Sequence, residues 1–165
     1  MKKAFRSPFP ALNVHRRQEP VATDTVYSDE PAIDDGSMAA QLFIGCNSLV
    51  TDVYGVKTDQ QFVSTLEDNI RRRGAMDQLV SDRAQAEVGN RTQQILRAYC
   101  IDDWQSEPHH QHQNHAERRW GVIKPYVNLL LKRTGAPAST WLLALLYVVY
   151  ILNRTATASL DWNNT

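Results

Sequence analysis

A chain of 165 residues has room for one ordinary domain with tails, and a fold of that size buries about 70% of the surface its unfolded chain exposes. A hydrophobic content of 42% excludes a disordered chain, and seven glycines with seven prolines exclude low complexity, while two cysteines exclude both a disulfide framework and a Cys-rich zinc site. The 18 basic and 18 acidic groups cancel, yet they are unevenly placed: residues 1–17 hold five basic groups and no acid, residues 18–70 hold ten acids against Lys57, and residues 71–133 hold eleven basic groups against seven acids.

Residues 1–20 are basic, contain Pro8, Pro10 and Pro20 and lack periodicity, which predicts a poorly ordered arm or linker ahead of a domain over 21–155 and a tail over 156–165. No apolar stretch follows the basic start, so no secretory signal is expected. Val21 to Tyr27 reads as a first strand, and the acidic segment Ser28 to Ser37 as a hairpin connection. Gln41 to Gly45 and Leu49 to Val56 flank the polar turn Cys46-Asn47-Ser48, so strands one to three form an antiparallel meander. The period then lengthens. Phe62, Val63, Leu66 and Ile70 mark a helix capped by Thr58 or Asp59 and closed by Gly74. Gln78 to Ser81 is the fourth strand, Ile95, Leu96, Tyr99 and Cys100 mark a second helix, and Asp103 to Ser106 is the fifth strand.

A longer helix spans about 114–133, ended by Gly135 and Pro137, and Ser139 or Thr140 starts the last one, whose run Trp141 to Leu152 is apolar nearly all round. Twelve residues are too few for a membrane span, which needs about 18 or more, so no membrane partner is expected and burial by the fold or by a partner is. The order βββαβαβαα describes an α/β fold, a five-stranded mixed sheet, antiparallel first and parallel after, flanked by helices.

Three carboxylates are notable for their placement. Asp24 lies within the first strand, Asp82 directly after the fourth, and Glu117 in the first turn of the long helix, inside the run Gln113-Asn114-His115-Ala116-Glu117-Arg118-Arg119. In a mixed sheet, a central strand and its parallel neighbour bring their ends together, and a following helix drops a third carboxylate beside them. Such a cluster repels itself unless hard cations sit within it, which makes Mg²⁺ or Mn²⁺ the natural occupant. Taken singly, Asp82 also reads as a turn residue and Glu117 as a first-turn acid favoured by the helix dipole.

Asp82 and Glu117 are 35 residues apart, and Asp24 precedes Asp82 by 58. With this spacing, the element order and Gln113, Asn114, Ala116, Glu117 and Arg118, residues 18–155 resemble the catalytic core of retroviral and retrotransposon integrases, copia-type elements in particular, whose fold is ribonuclease H-like. The resemblance implies a fragment of a longer polyprotein that trims and joins DNA 3′ ends by Mg²⁺- or Mn²⁺-dependent phosphoryl transfer, with Asp24, Asp82 and Glu117 as the catalytic metal ligands. It also implies DNA and a homo-oligomer as partners, and an intracellular setting, a cytoplasmic particle and the nucleus. Two features depart from the family pattern. The glycine of its Gln-Asn-Gly-x-Ala-Glu-Arg signature is missing, with His115 alone between Asn114 and Ala116, and Pro125 is expected to kink or interrupt the helix at a cost of roughly 3 kcal/mol. These departures motivate the alternative, a non-catalytic nucleic-acid-binding or assembly remnant of a decayed element. Ribonuclease H activity on hybrids fits the fold but not the local run.

Lys124, seven residues after Glu117, falls on nearly the same helix side and is placed to contact phosphate, joined in DNA binding by Arg118, Asn114 and Gln113. Arg119 and Arg71 to Arg73 read either as additions to that basic surface or as a solvated face, and the basic N-terminus either as a DNA-contacting arm or as a solvated tail. His109, His110, His112 and His115 lack matched cysteine ligands and a standard zinc spacing, so a polar loop is expected there rather than a zinc site.

Overall fold

The computed structural model describes residues 7–81, 89–105 and 115–155. Among them are strands β1 (Pro20–Tyr27), β2 (Ala39–Gly45), β3 (Thr51–Val56), β4 (Gln78–Ser81) and β5 (Asp102–Gln105). The helices are α1 (Phe62–Arg73), α2 (Asn90–Ala98), α3 (His115–Thr134) and α4 (Trp141–Leu152). The strands form one sheet in the order β3-β2-β1-β4-β5, with β1–β2 and β2–β3 antiparallel and β1–β4 and β4–β5 parallel, the mixed topology expected from the element order.

Strand alternation divides the core in two. Val21, Phe43 and Leu79 point to one face and pack with Phe62, Leu66 and Ile70 of α1 and Ile95 and Leu96 of α2. Ala22, Leu42, Ile44 and Val80 point to the other and pack with Ala116, Ile123 and Val127 of α3 and Leu142, Leu145 and Val148 of α4. Helices on both faces bury β2 along its whole length, which is why Ala39 to Gly45 is a nearly continuous apolar run. Trp141 Nε1 donates to the Glu30 carbonyl at 2.9 Å and the Ile33 amide to the Ser139 carbonyl at 2.8 Å, tying the β1–β2 connection to the start of α4.

Several boundaries differ from the sequence reading. β3 starts at Thr51 because Leu49 sits at φ +58 inside the turn. Helix α2 ends at Ala98, so Tyr99 and Cys100 are not helical: the Cys100 amide donates to the Arg97 carbonyl (3.2 Å) and the Ile101 amide to the Leu96 carbonyl (2.8 Å), with Cys100 at φ +52. This is the paired-bond cap that turns a helix sharply into a following strand, and its left-handed position favours glycine. Pro125 does not interrupt α3, which is helical from His115 to Thr134. Both Pro125 and Gly121, whose carbonyl loses the usual amide partner, are on the exposed side, open to solvent.

The apolar helix α4 is only half buried. Leu142, Ala144, Leu145, Val148 and Val149 enter the core, while Leu143, Leu146, Tyr147, Tyr150 and Ile151 are exposed, Tyr147 at 57%. No helix among the described residues is long and apolar enough to cross a membrane.

Candidate active site

Asp24 occupies the fifth position of β1, directly opposite Leu42 of β2. The alternation that sends Ala22 and Leu42 toward α3 and α4 puts the half-buried Asp24 on that same face. Its backbone is held from the opposite face. Gln41 Nε2 donates to the Asp24 carbonyl at 3.1 Å and to the Thr23 hydroxyl, Gln41 Oε1 accepts the Thr25 hydroxyl at 2.6 Å, and the Thr23 hydroxyl donates to the Leu42 carbonyl at 3.0 Å. Gln41 is only 2% exposed, so its amide is spent entirely on this part of β1. Sequence reasoning missed Gln41. The available signal was a lone amide inside Ala39-Ala40-Gln41-Leu42-Phe43-Ile44, but that pattern does not say which strand it serves.

Glu117 is exposed in the first turn of α3, where the helix dipole favours an acid. Ala116 beside it is fully buried, and so small a side chain lets this turn sit close on the sheet. Arg118 and Lys124 are exposed. Arg119 is not part of a basic surface: it is 8% exposed, its Nε donates to Thr51 Oγ1 at 3.3 Å, and burial lowers its pKa from the ordinary arginine value. Arg73 is likewise committed, its Nε and Nη2 holding the buried Asp52 carboxylate at 2.8 to 3.1 Å, which raises its pKa. Sequence periodicity grouped these arginines with the surface because it does not see which β3 atoms lie under each helix.

A second polar group fastens the start of β1. Arg17 Nε donates to Glu19 Oε1 at 2.7 Å, and Glu19 also accepts the Asn47 amide (3.2 Å), the Ser48 amide (3.0 Å) and the Ser48 hydroxyl (2.9 Å). Arg16 donates to the Tyr99 carbonyl at 2.6 Å and to Asp77 at 3.3 Å. Two of the five basic groups counted in residues 1–17 are therefore partners of the domain.

Asp82, Gln113 and Asn114 lie outside the described residues, as do His109, His110 and His112. Among the described residues, no three His, Cys, Asp or Glu side chains are grouped to hold a metal. What is brought together is Asp24 and the helix of Glu117 on one face of the sheet, with β4, the parallel neighbour of β1, ending at Ser81. A donor set of carboxylate oxygens matches the preference of a hard divalent cation such as Mg²⁺.

No protein-family model and no curated relative matches the sequence. Solved structures do. A chain of the simian T-cell lymphotropic virus intasome, in complex with the PP2A regulatory subunit B56 gamma, aligns with 85% of this chain at 15% identity and a TM-score of 0.66; the present chain spans about half of it, 51%. The HTLV-2 integrase catalytic core domain in complex with magnesium aligns with 90% of this chain and 89% of its own length. Its trimeric form is 16% and its dimeric form 18% identical, each with a TM-score of 0.62. At such identities the likeness is one of architecture, and the chain has the ribonuclease H-like fold of a retroviral integrase catalytic core.

Proposed function

We propose that this chain is the catalytic core of a retrotransposon integrase, acting on DNA ends by divalent-metal-dependent 3′-end processing and strand transfer. The observation that carries the reading is the shared sheet face of Asp24 and the helix of Glu117, beside the strand that precedes Asp82 in the chain. Asp24, Asp82 and Glu117 would hold Mg²⁺ or Mn²⁺. The chemistry supplied at such a site is activation of a water, or of a DNA 3′ hydroxyl, and neutralisation of charge on the leaving 3′ oxygen. The side chains of Arg118, Lys124, Gln113 and Asn114 bind the DNA backbone and orient the scissile phosphodiester. Gln41 keeps the Asp24 backbone in place through the bond to its carbonyl. Homo-oligomerisation, and action in a cytoplasmic particle and the nucleus, belong to the same proposal.

The test is strand transfer of labelled donor DNA in the presence of Mg²⁺. Asp24→Asn and Glu117→Gln are expected to lower it by at least about 100-fold while leaving thermal unfolding nearly unchanged. Activity that survives Glu117→Gln removes the assignment. If the protein binds DNA but Mg²⁺ alters neither its stability nor its spectra, the non-catalytic remnant is the correct reading.

A further inference from the structure

A cavity of about 400 Å³ lies between the sheet and the first turn of α3, and its lining is chemically divided. Its floor is Pro20 of β1, Gln78 and Val80 of β4 and Trp104 of β5; His115 and Arg118 of α3 line it from the helix side. The parallel registers Pro20↔Gln78 and Val80↔Trp104 put these four floor residues side by side on the face that carries Asp24. Trp104 packs against the core and is only partly buried, so part of its indole remains on the cavity wall. Arg118 follows Glu117 directly, so the cavity adjoins the proposed active site. Its volume falls in the range of small-molecule sites, about 300–1,000 Å³.

We propose that this cavity takes one unpaired nucleotide of the bound DNA, its base stacked on Trp104 and its phosphate held by Arg118 and His115. An aromatic surface beside a cationic group is the chemistry that binds single-stranded nucleic acid, because every base has a π face and every nucleotide a phosphate. Gln78 and Asn47, also at the cavity, carry both donors and acceptors for a base edge. A base inside a duplex has both faces covered by its neighbours and cannot use the indole. The pocket therefore selects frayed or single-stranded ends over blunt duplex, next to the residues proposed to cut and join. The inference rests on the DNA-processing reading above.

The test uses the full chain and duplexes with a two-nucleotide unpaired end of either polarity, carrying 2-aminopurine at the unpaired position. The protein is expected to bind at least one such duplex roughly tenfold more tightly than its blunt counterpart and to quench the 2-aminopurine. Trp104→Phe keeps the quenching. Trp104→Leu loses it while blunt-duplex affinity stays within about twofold, since phosphate contacts do not need the ring. Should Trp104→Leu fail to fold, the unaltered protein supplies a second reading. The half-buried Cys46 lines the cavity and Cys100 is exposed, so unpaired-end DNA should slow maleimide alkylation of Cys46 and leave Cys100 unchanged. Equal binding of blunt and unpaired ends, quenching that persists in Trp104→Leu, or alkylation of Cys46 unaffected by the DNA overturns the pocket and leaves the integrase reading intact. Failure to bind any DNA overturns both.

Discussion

Glu19 carries much of the polar organisation at the start of β1. Burial pushes its pKa upward, but the amide of Ser48, the hydrogen bond and charge of Arg17, and the Ser48 hydroxyl outweigh this, so the carboxyl titrates below its ordinary 4.5. A lowered folded value means that the ionised group stabilises the fold above the unfolded pKa, and that this contribution is lost as pH falls through the folded value. Urea unfolding is expected to show stability declining below about pH 4.5. The variant Glu19→Gln should lack that component and be less stable at pH 7 by about 3–5 kcal/mol, because Arg17, 8% exposed with Nη1 already unpartnered among the described residues, would keep a buried charge alone. Little of this was legible beforehand. Arg17 and Glu19 are two residues apart in an apparently solvated arm, and only the folding of the Cys46–Ser48 turn over them removes the pair from water. Asp24 and Glu117 became candidates because an acid inside an apolar strand or in a helix's first turn stands out by position alone.

At the scale of elements, two backbone positions are mismatched to their residues in opposite senses. Gly121 lies inside α3 on the exposed side, and a Cβ there meets nothing within 4 Å. Gly121→Ala should raise stability by about 0.5–1 kcal/mol by reducing the freedom of the unfolded chain. Cys100 occupies the left-handed position of the α2 cap, so Cys100→Gly should stabilise by about 1 kcal/mol. Gly74, at φ +98 with the His15 carbonyl 2.5 Å from a virtual Cβ, should instead lose stability on conversion to Ala. Denaturant midpoints of the three variants check these directions together. The expected interruption at Pro125 failed for a related reason: a sequence rule charges the full cost of a missing amide, whereas the structure puts the orphaned carbonyl where water reaches it.

Over the described residues, the exposed half of α4 departs from a solvated surface. Leu143, Leu146, Tyr147 and Tyr150 lie outside the two cores, as a helix face covered in an oligomer does. Sedimentation of the protein against Leu146→Asp should show the mass falling toward a single chain if this face is the contact, with the unfolding midpoint of the isolated chain little changed. An unaltered distribution would place the contact elsewhere. The zero net charge also looks different at this scale. Arg16, Arg17, Arg73 and Arg119 are engaged by acids, carbonyls or hydroxyls of the domain, while Arg118, Lys124, Lys132 and Arg133 are solvent-exposed along the helix of Glu117.

Element types and order followed from the sequence alone, because period-two and period-3.6 apolar patterns reflect which side of each segment must leave water. So did the carboxylate candidates, since strand and helix-start positions can be read locally. The sheet order β3-β2-β1-β4-β5, the common face of Asp24 and α3, the support of Asp24 by Gln41, and the cavity under His115 and Arg118 were decided only by tertiary structure. Each depends on which strands become neighbours and on which atoms lie beneath a given helix turn. Those are relations between residues tens of positions apart, and no local pattern in the chain encodes them.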